Sequence, residues 1–165
     1  MATAVRRVGI GSDSHPFGPG RPLRLGGVTI DRAPALAGHS DGDVALHAVA
    51  DALLGAAALG DLGRHHPPDE RTPRGVPSTA LLASIAGHVR DAGWQPEAVD
   101  VTIVAARPRL ADQLEAMRAA IAEVLGLPVD AVSVKASTGN LSGDAGAGRT
   151  VEARALASIV PTDQR

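Results

Sequence analysis

Asp13-Ser14-His15, followed by His39-Ser40-Asp41-Gly42-Asp43-Val44-Ala45-Leu46-His47, is the stretch on which the reading of this chain turns. The first piece ends an apolar run from Val5 to Ile10 that reads as a strand over about 5–13. Strand side chains alternate between faces, so Asp13 and His15 point the same way. The second piece reads as the start of a helix, with His47 about two turns in. One carboxylate and two imidazoles thus converge from a strand end and a helix. Such a set leaves a coordination position open, as catalytic zinc sites do.

Working outward, Pro16-Phe17-Gly18-Pro19-Gly20 closes the first strand, and segments near 22–26 and 28–31 flank Gly26-Gly27 as a tight hairpin. Ser40 suits an N-cap with Asp43 at the third helical position, and Val44, Ala48, Leu53, Ala56 and Ala57 carry about 18 helical residues toward Gly60. Residues 63–77 read as a long surface loop, with His65 and His66 as solvated members. A second helix is expected over 78–92, a strand over Val99–Ala106, a third helix over 111–125 and a strand over Val132–Ser137. A glycine-rich loop spans 139–148, and Val151–Val160 fits either a strand or a helix. This order predicts an α+β fold, one domain over 1–165, with a sheet and helices packed on one face.

Composition sets outer limits. With 165 residues, 44% apolar and 21% charged, the chain can bury a core of ordinary globular kind. A net charge of −2 gives no reason to expect nucleic acid or an anionic membrane as partner. Neither a signal-type start nor an apolar run of membrane-spanning length is found, so a cytoplasmic protein is expected. Without cysteine there is neither a disulfide framework nor a thiolate nucleophile, and any zinc must be held by His, Asp or Glu. His39 and Ser40 sit where a helix start has unpartnered backbone N–H groups and a positive dipole end, which attract phosphate. A metal beside such an end points to metal-assisted phosphate chemistry.

Asp13-Ser14-His15, the His39–His47 block, Asp51–Gly63 (Asp-Ala-Leu-Leu-Gly-Ala-Ala-Ala-Leu-Gly-Asp-Leu-Gly) and Asp100-Val101-Thr102-Ile103-Val104 together resemble the 2-C-methyl-D-erythritol 2,4-cyclodiphosphate synthase family of non-mevalonate isoprenoid biosynthesis. The resemblance runs from residue 5 to 138, apart from the 64–77 loop. It implies a CMP-releasing phosphorus–oxygen lyase that cyclises 4-diphosphocytidyl-2-C-methyl-D-erythritol 2-phosphate. The substrate's own phosphate would attack the β-phosphorus, so no protein base is needed. The resemblance assigns Zn²⁺ to Asp13, His15 and His47, and transition-state stabilisation to His39 and Thr138. It assigns substrate contacts to Ser14, Ser40, Asp61, Leu62, Gly63, Ala105, Pro108, Arg109, Leu110, Ser137 and Asn140. It further implies a homotrimer whose active sites are shared between neighbouring chains.

Beyond Thr138 the pattern changes. A family glutamate that helps hold a second ion, Mg²⁺ or Mn²⁺, falls on Asn140, and the segment before Val151-Glu152-Ala153 is about two residues short. Asn140 offers a carbonyl but no charge, which weakens such an ion, and Asp144 is the residue that could substitute. Arg109 stands where lysine is usual, and Arg107 where a small residue is usual. His65-His66-Pro67-Pro68-Asp69 replaces Phe-Pro-Asp. Three alternatives stay open. One is a diverged paralogue acting on another phosphorylated or nucleotide-linked substrate. Another is a silent metal-binding homologue, with Asp41 or Asp43 as a fourth ligand. The last is a zinc hydrolase using Asp43 as base.

Overall fold

The computed structural model describes residues 5–162. Strand β1 (Arg7–Pro16) is followed by the β2 (Leu23–Leu25) and β3 (Val28–Ile30) hairpin and helix α1 (Val44–Ala57). Next come a one-turn helix α2 (Leu62–His65), α3 (Ser78–Asp91), β4 (Trp94–Val104) and α4 (Leu114–Leu125). Strand β5 (Val132–Ser137), a short α5 (Gly143–Gly146) and β6 (Thr150–Pro161) complete the chain. The main sheet has the order β1-β6-β4-β5, with β6 antiparallel to both neighbours and β5 parallel to β4. Strands β1, β4 and β5 therefore end at the same edge, where β6 begins.

Helices α1, α3 and α4 cover one face of this sheet, as the α+β reading expects. Along β6 the side chains of Val151, Ala153, Ala155, Ala157 and Ile159 are all buried, a strict alternation that settles the ambiguous last element as a strand. Strand β1 and helix α1 lie in direct backbone contact. A Cβ on Gly9 would lie 2.0 Å from the Ala52 carbonyl oxygen, and one on Gly11 would lie 1.9 Å from that of Ala48. Only glycine permits this seam, so the strand end bearing Asp13 and His15 is pressed against the helix bearing His47. On the opposite face Val8 (59%), Ile10 (75%) and Leu156 (43%) are exposed, an apolar strip on β1 and β6.

Three local expectations are corrected. Helix α1 is 14 residues long and begins after Asp43, not Ser40. Gly42, at φ +79, breaks helical geometry, while the Asp43 carboxylate accepts from Leu46 N–H. Strand β4 begins at Trp94 rather than Val99, because Gln95, Pro96 and Glu97 interrupt the apolar signal and a bulge lies between Pro96 and Ala98. His65 and His66 are half-buried rather than solvated: the His65 ring packs 4.9 Å from His88, and His66 bonds the Ser84 hydroxyl at 3.1 Å. Among the described residues no helix is long and apolar enough to cross a membrane.

Candidate active site

Asp13, His15 and His47 offer ligand atoms that all lie within 4.8 Å of one another, forming a candidate metal site. Asp13 Oδ2 stands 3.0 Å from His15 Nε2 and 2.8 Å from His47 Nδ1. The remaining ring nitrogens fix the tautomers. His15 Nδ1 faces the Ala37 carbonyl, which can only accept, so Nδ1 carries the proton and Nε2 keeps its lone pair. Ser78 donates its hydroxyl proton to Asp41 and therefore accepts from His47 Nε2–H at 3.0 Å, with the Ser40 oxygen at the same distance. His47 Nδ1 thus also presents a lone pair. Three electron-rich atoms face one point, which calls for a proton or a cation there, and oxygen–imidazole donors suit zinc.

The titration of the pair has the same origin. Hydrogen bonding to Asp13 raises the His15 pKa above its usual 6.5, more than burial lowers it. For Asp13, burial pushes upward, but hydrogen bonds from His15 and His47 and their charge together hold the carboxyl well below its ordinary range. Gly38 completes the cradle: a Cβ there would come 3.0 Å from His15 Cε1.

The metal donors open into a cleft of about 380 Å³ that also admits His39, Ser40, Leu62 and Gly63. His39 is oriented by donation of Nε2–H to the Thr72 carbonyl at 2.6 Å. Asp51, one turn after His47 on α1, lines the same cleft and accepts from Leu62 N–H at 2.7 Å. Burial, then the neighbouring Asp61 and Asp13 charges, raise its pKa. Asp61 does not line this cleft; it caps α2 by accepting from Arg64 N–H at 2.9 Å. Ser14 lines a second cavity with Ser12, Glu152 and Arg154, which adjoins the first at Asp13, a residue lining both.

Ala105, Pro108, Arg109, Leu110, Ser137 and Thr138 come together in another cavity, of about 280 Å³, at the ends of β4 and β5. Asn140 stands outside its lining, in a left-handed conformation at φ 50, ψ 41. His39 and Thr138 thus belong to different cavities of one chain. Strands in a sheet lie about 4.8 Å apart, so the edge strand β1 is roughly 10–14 Å from β4 and β5.

The phosphate-binding helix start is corrected. The N-terminus of α1 is already occupied by Asp43, whose buried carboxylate accepts from Gly26, Gly27 and Leu46 N–H at 2.8, 2.8 and 3.1 Å. Asp43 therefore serves neither as a hydrolytic base nor as a fourth ligand, and Asp41 is engaged with Ser78 instead. Sequence reasoning missed Ser78 and Asp51. The helical spacing of Asp51 from His47 was a usable signal, whereas Ser78 lies 31 residues from His47 and gave none.

The sequence pattern of the YgbB family matches residues 6–160. A 2-C-methyl-D-erythritol 2,4-cyclodiphosphate synthase of Burkholderia thailandensis is 51% identical over 154 residues, 93% of this chain and 95% of the relative. A solved structure of a 2-C-methyl-D-erythritol 2,4-cyclodiphosphate synthase in a CDP-bound form superposes with a TM-score of 0.80 at 34% identity, covering 93% of this chain and 99% of that one. The bifunctional IspDF protein of Campylobacter jejuni superposes with a TM-score of 0.92 at 34% identity over 96% of this chain, which spans 43% of that longer protein.

Proposed function

From the membership of this chain in the YgbB family, we propose that it is a metal-dependent 2-C-methyl-D-erythritol 2,4-cyclodiphosphate synthase. The supporting observation is the set Asp13, His15 and His47, with both imidazole tautomers locked so that their lone pairs converge on the Asp13 oxygen. In the reaction an oxygen of the substrate's 2-phosphate attacks the β-phosphorus, and the bond from that phosphorus to the bridging oxygen breaks. The electron pair leaves on CMP, and a cyclic diphosphate forms. The nucleophile is already an anion, so the protein's work is positioning and charge neutralisation. Zinc held by Asp13, His15 and His47 would supply Lewis-acid stabilisation of β-phosphate charge.

The chain's own residues hold that arrangement. Ala37 and Ser78 keep the imidazoles from turning, and the Thr72 carbonyl orients His39 toward the cleft. The methylerythritol end is assigned to the Leu62 and Gly63 side, beside Asp61 and Ser40. The cytidine part is assigned to the cavity of Ala105, Pro108, Arg109, Leu110, Ser137 and Thr138, since CDP is the molecule bound in the related synthase structure. Because the metal cleft and this cavity share no lining residue, the site is read as completed by a neighbouring copy in a homotrimer. The exposed Val8, Ile10 and Leu156 strip supplies an apolar face for that assembly. The protein is placed in the cytoplasm as one domain over 1–165.

The test is phosphorus NMR of the purified chain with zinc and 4-diphosphocytidyl-2-C-methyl-D-erythritol 2-phosphate. The reading expects CMP and a cyclic diphosphate in equal amounts. A folded, zinc-loaded protein that leaves the substrate intact contradicts it and favours the paralogue.

A further inference from the structure

The residues on the nucleotide side do not fit a second divalent ion. None of the residues lining the cavity of Ala105, Pro108, Arg109 and Thr138 is a carboxylate. Asn140 is neutral and outside that lining. Asp144, the carboxylate of the 137–149 segment, is held by the Arg149 guanidinium, with Arg149 Nε at 3.0 Å. Among the described residues only Asp13, His15 and His47 form a group of three close His, Asp or Glu ligands. A small hard cation on a nucleotide is usually held by one or two protein carboxylates together with the substrate phosphates, and here the protein carboxylate is missing from the cavity lining or paired with Arg149.

What stands at this side instead is positive charge: exposed Arg109 in the cavity lining, and exposed Arg107 outside it. Arg107 lies with its guanidinium carbon 4.4 Å from the Phe17 ring centre, and its Nε donates to the Gly148 carbonyl at 3.1 Å. Those contacts aim the side chain across the start of β6 toward the end of β1, and its two terminal amino groups have no protein acceptor among the described residues. Arg109, on the cavity wall, is exposed and likewise has no carboxylate partner there. Guanidinium forks bind phosphate oxygens through paired, charge-assisted hydrogen bonds. Resting on the cyclisation reading, we infer that Arg107 and Arg109 hold the diphosphate of the nucleotide and that this chain takes one divalent ion, not two.

The experiment uses the full zinc-loaded chain. Mn²⁺ is titrated in the presence of saturating CDP and counted by electron paramagnetic resonance, with free CDP as baseline. The expected result is no Mn²⁺ bound beyond that baseline; one further Mn²⁺ per chain overturns the inference. Calorimetry of CDP and of cytidine then reads the arginines. Arg107→Ala and Arg109→Ala should each weaken CDP about tenfold or more while cytidine is unchanged. An unchanged CDP affinity, or equal losses for both ligands, overturns the assignment. Wild-type protein that binds no CDP contradicts the proposed function as well, whereas CDP binding with a second Mn²⁺ contradicts this inference alone.

Discussion

The metal cleft and the nucleotide side lie at the same edge of one sheet, yet they are built by different means. At the cleft His15 and His47 are each held twice, by their element and by a partner behind the ring. Gly9 and Gly11 let β1 touch α1, Asp43 pins the start of that helix, and Ala37 and Ser78 fix the ring nitrogens. The 137–149 segment is mostly exposed apart from Ala145 and Gly146, turns through three consecutive positive-φ residues, Gly139 (φ 72), Asn140 (φ 50) and Leu141 (φ 61), and is tied by the exposed Arg149–Asp144 pair. Exposed pairs contribute little to stability. The candidate metal site rests on packed geometry, whereas the 137–149 segment rests on exposed polar contacts.

Gly11→Val drives a side chain into the Ala48 carbonyl and should cost about 3 kcal/mol or more, read by urea unfolding. The matching change on the other side, Gly143→Ala, meets no atom within 4 Å; its φ of +64 limits the cost to about 1 kcal/mol. Asp43→Ala removes the acceptor of three backbone N–H groups and should cost about 3 kcal/mol. Ser78→Ala should leave the fold intact but lower zinc affinity about 10–100-fold, because the His47 tautomer loses its support; equal affinity would show that Ser40 alone suffices.

The pH dependence follows from His15. Its folded, metal-free pKa is raised above 6.5, so the proton's contribution to stability is complete below 6.5 and is lost as pH rises through the raised value. Zinc displaces that proton, so zinc affinity should climb with pH across that window and level off above it. Asp13, held ionised throughout, adds no slope. Calorimetry at several pH values reads the climb. The smallest effect is Leu141→Gly, which relieves a left-handed leucine and should raise stability by about 1 kcal/mol in a thermal melt.

Much of the cleft was legible in the sequence because it is written in local spacing. Asp13-x-His15 obeys strand alternation, and the apolar rhythm from Val44 placed His47 on a helix. The partners behind the ligands were not legible, since a backbone carbonyl such as Ala37 or Thr72 has no sequence signature and Ser78 arrives from a distant helix. Ser40 looked like the cap because it is a good capping residue. It lost that role to Asp43, which reaches three N–H groups at once after the turn at Gly42. On the nucleotide side the sequence showed that Asn140 had no charge. It could not show that Asp144, the apparent substitute, is occupied by Arg149, or that Arg107 rests on Phe17.

The central claim is that chemistry depends on one ion held by Asp13, His15 and His47. It is tested most directly by measuring zinc content and CMP release together for the wild-type chain and His47→Ala, with circular dichroism confirming both are folded. The account predicts one zinc per wild-type chain, and in the variant no zinc and turnover lower by at least about a thousandfold. A folded, zinc-free His47→Ala protein that still releases CMP at a comparable rate would contradict it.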